Sequence, residues 1–282
     1  MSAFTKDRVV GCIVGGAIGD ALGGIAERRQ ISLSDDTQLT LATCEALTVD
    51  RRSAAAVADA MLRWFRERRI TGIGSATLKA MRDLDIGAHW ALSGARGEMA
   101  AGNGAAMRIA PLAFILDPAD RSARTFVRDV ARITHHSDEA YVGALAVLVA
   151  IHQLRHGSTI ELPAIAEHLP DSRVRDRLLE IAAASDDSLS RLAIRFGASG
   201  YVVDTVPLAL VAAARMTPAT MEDTLYELNE TGGDSDTIGA IAGQVAGTSM
   251  GFALLPRHLV AALPAEPPVL RIAEEFALVA AG

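Results

Sequence analysis

Aromatic residues make up only 4% of this 282-residue chain, cysteine occurs twice, and basic residues are outnumbered, 27 Lys and Arg against 34 Asp and Glu. Stretches that alternate strictly in polarity are also scarce. The shortage of aromatics and of alternation excludes a sheet-dominated core, because strands draw on β-branched and aromatic side chains at a period of two. Cys12 and Cys44 form neither a disulfide framework nor a metal-ligand spacing, so reduced thiols in a cytoplasmic setting are expected, and neither is a candidate nucleophile. The net charge of −7 carries no basic stripe, which argues against nucleic acid or an anionic membrane as the main partner. Lys6 and Arg8 precede the apolar Val9 to Ile18 as in a signal peptide, but Asp20 falls where the small-residue cleavage site would lie. The uncharged run Ile238 to Leu255 nears membrane length, yet it holds Gln244, Thr248, Ser249 and four glycines, and a buried core helix fits it better.

What the chain does have is apolar residues, half of the total, with Ala and Leu abundant and no composition break to mark a linker. An all-α fold in a single domain over residues 1–282 is expected. Two segments set its centre. Phe4 to Leu22 carries Gly11, Gly15 and Gly19, and the late apolar run carries Gly239, Gly243, Gly247 and Gly251, each set spaced by four. Spacing of four places the missing side chains on one helix ridge. Each glycine costs roughly 1 kcal/mol against alanine inside a helix, so such ridges imply close backbone approach to another element. The two helices are expected to be central and to pack closely, with each other as one candidate pairing. Between them, Thr37 to Leu47 keeps a 3.6-residue apolar face, and Ser53 to Arg69 is amphipathic, with Trp64 and Phe65 on its core side.

The densest chemistry lies at Gly232-Gly233-Asp234-Ser235-Asp236-Thr237, where two carboxylates and a hydroxyl crowd against the start of the late apolar run. Alone, such a stretch caps a helix. It also suits a hard divalent cation. A similar stretch, Ser34-Asp35-Asp36-Thr37, opens another helix nearly two hundred residues earlier. If both helix starts converge, four like charges a few ångströms apart would repel by several kcal/mol at an effective dielectric near 20. Two divalent cations, about 3.5–4 Å apart, would neutralise them. Oxygen donors without Cys or His favour Mg²⁺, Mn²⁺ or Ca²⁺ over Zn²⁺.

Three further stretches attract notice. Asp83 to Asn103 is the longest loop-like region, and it ends in Gly102-Asn103-Gly104, a turn expected to feed an apolar helix whose exposed amides could meet phosphate oxygens. His135 and His136 stand beside acids, where a structural hydrogen-bonding role competes with a ligand-binding one. Tyr201 precedes another apolar helix, either as a core tyrosine with a wet hydroxyl or as part of a site.

In order along the chain, Gly15 to Gly23, Glu27, Ser34 to Thr37, Gly102-Asn103-Gly104 with Met107-Arg108, Thr134-His135 and Gly232 to Thr237 together resemble the ADP-ribosylglycohydrolase family, which includes the dinitrogenase reductase-activating glycohydrolases. The resemblance implies a compact, orthogonal multi-helix domain with a central cleft for ADP-ribose and two Mg²⁺ or Mn²⁺ ions. By position it implies Ser34, Asp35, Asp36, Asp234, Asp236 and Thr237 as metal ligands, with Asp35, Asp236 and Glu27 closest to the chemistry. It implies Gly102, Asn103, Gly104, Met107, His135 and Tyr201 as contacts to the ligand. Two departures stand out: the connection from Glu27 to Ser34 is short, and Ala100 occupies a place where some arginine-directed members carry an acid. The implied activity is hydrolysis of the C1″ bond between ADP-ribose and an arginine or serine of a modified protein. Cleavage of O-acetyl-ADP-ribose or another conjugate, and binding without catalysis, are the alternatives.

Overall fold

The computed structural model describes residues 3–25, 31–97, 100–184 and 186–280, and these form fourteen α-helices with one pair of two-residue strands. The opening helix, Ala3–Gly23, and the late helix, Ser235–Met250, run antiparallel through the middle of one continuous apolar core. Their glycine ridges face each other. A Cβ built on Gly15 would lie 2.4 Å from the Gly243 carbonyl oxygen, and one on Gly19 would lie 1.9 Å from that of Gly239. Gly11 meets Gly247 in the same way. No side chain fits between the two backbones, which is the close approach the spacing called for.

The antiparallel register has a further consequence. It brings the last turn of the opening helix beside the first turn of the late one, where Ser235 Oγ donates to the Gly23 carbonyl at 2.7 Å. A third helix, Asp35–Val49, starts at the same place, capped by Ser34, whose Oγ accepts from the Asp36 amide. Gln244 explains the one amide in the apolar run: fully buried, it donates to the Met107 carbonyl at 2.7 Å and to Thr40 Oγ1 at 3.3 Å, tying three segments together. The amphipathic helix observed at Ala54–Arg66 buries Trp64, whose Nε1 donates to Glu45.

One local expectation needs correction. After Gly102 the chain forms short 3₁₀ turns, Asn103–Ala105 and Ala110–Phe114, and no α-helix. Pro111 lacks the N–H an α-helix would use, and the turn is also held from outside by pairing with a later segment. The stretch between Asp85 and Asn103 is loop-like in its described residues, as expected. Within it, Ala95–Arg96 pairs in parallel with His135–His136, the only strand pair among the described residues.

Candidate functional site

Three helix starts and one glycine turn enclose a cleft of about 330 Å³. Asp35 and Asp36 come from the helix Asp35–Val49, and Asp234, Asp236 and Thr237 from the start of the late helix. Ser75 to Thr77 come from a helix Ser75–Asp85 whose N-terminal residue, Gly74, offers no side-chain cap. Gly102, Asn103, Gly104, Met107 and His135 close the opposite wall. Among the described residues, no lysine or arginine lines it. Carboxylates at helix N-termini are favoured by the dipole, but that effect, about 1 kcal/mol, cannot offset this much like charge.

Burial makes the crowding severe. Asp36 is 1% exposed and is pushed well above the usual carboxylate range, first by desolvation and then by its acidic neighbours, Asp20 foremost. Asp35 is pushed up to about 7, again mainly by burial, against a stabilising hydrogen bond from the Gly74 amide. Asp234 is raised by desolvation despite a hydrogen bond from Asn103 Nδ2. Asn103 also donates to Thr205 Oγ1 at 3.0 Å, so its amide is fixed from two sides.

The two acidic stretches do converge. Thr237 Oγ1 donates to Asp36 Oδ2 at 3.3 Å across a separation of 201 residues in sequence. Ser34 Oγ lies 2.9 Å from the same carboxylate oxygen. Asp36 Oδ1, by contrast, is buried with no hydrogen-bond partner among the described residues. A buried carboxylate oxygen left without a donor is costly, and a hard cation is the partner such an atom lacks. The oxygen-only donor set at these helix starts fits Mg²⁺ or Mn²⁺ on the same grounds.

One residue of this cluster was missed as a site residue in the sequence. Asp20, at the end of the opening helix, is fully buried, and one oxygen each of Asp20, Asp36 and Asp236 fall within 4.8 Å of one another. Its hydrogen bonds favour a supporting role over a ligand role. Ser34 Oγ reaches its Oδ1 at 2.8 Å, while the Ser34 amide and Thr37 Oγ1 reach its Oδ2 at 2.9 Å and 2.6 Å. Asp20 thus holds the acid-bearing helix start from outside that helix. A carboxylate inside an otherwise apolar glycine ridge was the available signal. The Gly72 to Thr77 wall was missed too; its signal was a glycine pair, Gly72 and Gly74, just before a helix.

The remaining expected residues divide. Gly102 and Gly104 pack against the His135 ring, so closely that a Cβ on Gly104 would sit 2.7 Å from Cε1. The Asn103 amide donates to the Gly200 carbonyl at 3.1 Å, so that donor is taken and is not open to a phosphate. Tyr201 pairs through its backbone with Gly102, but its side chain is not in the cleft lining; its hydroxyl instead accepts from Arg173 Nη1 at 3.4 Å. His136 turns to the Ser93 carbonyl, 2.7 Å away, and is structural. Glu27 lies outside the described residues, and Ala100 is fully buried.

Comparison with known proteins finds relatives along most of the chain. The family model described as ADP-ribosylglycohydrolase matches residues 1–282. The chain is 28% identical to an ADP-ribosylarginine hydrolase Tri1 of Pseudomonas putida, over 96% of this chain and 78% of that protein. It is 26% identical to the ADP-ribosyl-[dinitrogen reductase] glycohydrolase of Rhodospirillum rubrum, over 89% of this chain and 88% of that one. A solved structure titled ADP-ribosylglycohydrolase-related protein complex superposes with a TM-score of 0.72 at 26% identity, covering 99% of this chain and all of the other. With the family model spanning every residue, the chain belongs to the ADP-ribosylglycohydrolase family.

Proposed function

We propose that this protein is a metal-dependent ADP-ribosylhydrolase that cleaves the C1″ bond joining ADP-ribose to an arginine or serine side chain of a modified protein. The observation that carries the reading is the orphaned Asp36 oxygen in a buried acid cluster, at the bottom of a cleft in a chain of this family. Ser34, Asp35, Asp36, Asp234, Asp236 and Thr237 are the residues that would hold two Mg²⁺ or Mn²⁺ ions. Bound there, the ions supply Lewis acidity toward a sugar hydroxyl or a water.

The chain's own groups do the rest. Asn103 holds the Asp234 carboxylate in place, and Thr237 and Ser34 orient Asp36. Asp35 and Asp236, facing the cleft, stabilise positive charge that develops on the ribose ring as the C1″ bond breaks. The uncapped start of Ser75–Asp85 offers amide donors to an anionic group such as a diphosphate. Glu27 remains the proposed proton donor or acceptor.

The test is a panel of arginine-, serine- and acyl-linked ADP-ribose substrates, with O-acetyl-ADP-ribose, assayed with Mg²⁺ or Mn²⁺ by release of ADP-ribose. Turnover of an arginine- or serine-linked substrate that disappears in excess chelator and in Asp236→Ala is expected. Tight ADP-ribose binding without turnover of any conjugate would make the protein a binder instead. Turnover of the acetyl ester alone would move it to the conjugate hydrolases.

A further inference from the structure

Behind the cleft wall opposite the acids lies a guanidinium that no carboxylate among the described residues explains. Arg108 is fully buried, and among the described residues its Nε and Nη1 have no hydrogen-bond partner. Its Nη2 donates to the Val130 carbonyl at 3.2 Å and to Thr134 Oγ1 at 2.8 Å. Burying an unpaired charge is costly enough that its retention calls for a task. Desolvation lowers it only to about 10, so it stays charged at neutral pH.

Donor and acceptor rules give the contacts a direction. Arginine can only donate, so Thr134 Oγ1 accepts from it, and the single hydroxyl proton of Thr134 is free to go elsewhere. His135 Nδ1 lies 2.7 Å from that oxygen. Among the described residues no other acceptor meets that hydroxyl, so the pairing that uses its proton has Nδ1 accepting and the ring proton on Nε2. The Nε2 edge lies on the side of Gly102 and Gly104, both in the cleft lining, and the ring packs so close to them that a side chain on either would crowd it. The backbone pairing of Ala95 with His135 fixes the base of the same side chain.

We propose that Arg108 is a positioning residue which, through Thr134, locks His135 as a neutral imidazole with its proton on Nε2, aimed as a hydrogen-bond donor at an oxygen of the bound ADP-ribosyl group. The identity of that ligand rests on the function proposed above; the tautomer does not. Burial and the nearby Arg108 charge both oppose a second proton, holding His135 down to about 3, so the donor persists across the physiological range. The arrangement transmits a fixed donor direction from a group that never loses its proton to one that could have taken either tautomer.

The experiment is long-range ¹H–¹⁵N correlation on the histidine-labelled full-length protein, with His135 assigned by its loss in His135→Gln. The wild type should show the Nε2–H pattern for His135, unchanged between about pH 5 and 8. Thr134→Val should give mixed tautomers and weaken ADP-ribose binding in calorimetry by roughly 10-fold, about the worth of one hydrogen bond, while Thr134→Ser keeps both close to wild type. Arg108→Met should also mix the tautomers. Should that variant fail to fold, Thr134→Val against Thr134→Ser decides the matter. An Nδ1–H or imidazolium signal in the wild type, or an unchanged Nε2–H pattern in a folded Thr134→Val, would overturn the proposal. A locked tautomer in a protein that releases no ADP-ribose from any substrate would sink the hydrolase reading and leave this inference standing.

Discussion

The opening and late helices meet along their shafts and again at their ends, and opposite rules govern the two regions. Along the shafts, Gly11, Gly15 and Gly19 face Gly247, Gly243 and Gly239, and the nearest atoms across each pair are backbone. At the ends, Asp20 from one helix and Asp234 and Asp236 from the other join Asp35 and Asp36, and one carboxylate oxygen is left with no partner. The first region is complete as the chain alone builds it. The second is not, and its incompleteness suits it to a cation. The same packing produces both: only helices as close as the glycines allow bring Gly23 against Ser235, and with them the acids.

Changing the shafts should have the largest effect. Alanine normally favours a helix over glycine by roughly 1 kcal/mol, but Gly15→Ala sets a Cβ 2.4 Å from a backbone oxygen that cannot step aside. The sign should invert, with a loss of more than about 3 kcal/mol in denaturant unfolding, or no folded protein at all. A tolerated alanine there would mean the shafts can separate, and the contrast with the ends would weaken.

At the ends the effect should be split between activity and stability. Asp36→Asn should cost at least about 100-fold in ADP-ribose release while raising metal-free stability by roughly 1–2 kcal/mol, because it removes one of several like charges from a buried place. Thermal melts with and without Mg²⁺ check both halves. A variant that is inactive and also less stable would show that Asp36 serves the fold as well as the site.

The smallest effect is the one set by pH. Raised carboxyl values in the folded protein mean that the native state keeps protons the unfolded chain would release. Their contribution is fully present below the ordinary value of 3.8 and, for Asp35, is lost as pH rises through about 7. Between about pH 5 and 8 the Tm of the metal-free protein should therefore fall, by roughly 5 °C. Saturating Mg²⁺ or Mn²⁺ should flatten the trend, since a bound cation favours the ionised carboxylates. An equally steep fall with metal present would mean that the acids stay protonated and hold no ion.

Much of the site was legible because its chemistry is written in short local stretches. Ser34 to Thr37 and Asp234 to Thr237 each carry their acids at a helix start, where sequence alone places them. Gly102, Gly104 and His135 were flagged separately, yet that the two glycines exist to seat the His135 ring emerges only from their contact. Asp20 was seen but given no role, because an acid near the end of a glycine-ridged helix has no meaning until the partner helices are known. Tyr201 was expected among ligand contacts, whereas its neighbour Gly200 lines the cleft, a difference decided by which way the helix start turns.

The helical class, the two glycine ridges and the acid-led helix starts are encoded locally in the chain, since these depend on periodicity, propensity and capping over a few turns. Tertiary structure alone decided that the acid-led starts share one cleft with Asp20 behind them, and that Arg108 stands behind His135. Those juxtapositions depend on the register and crossing of segments as far apart as Asp36 and Thr237, and side-chain patterns along one helix carry no record of which neighbour its end will meet.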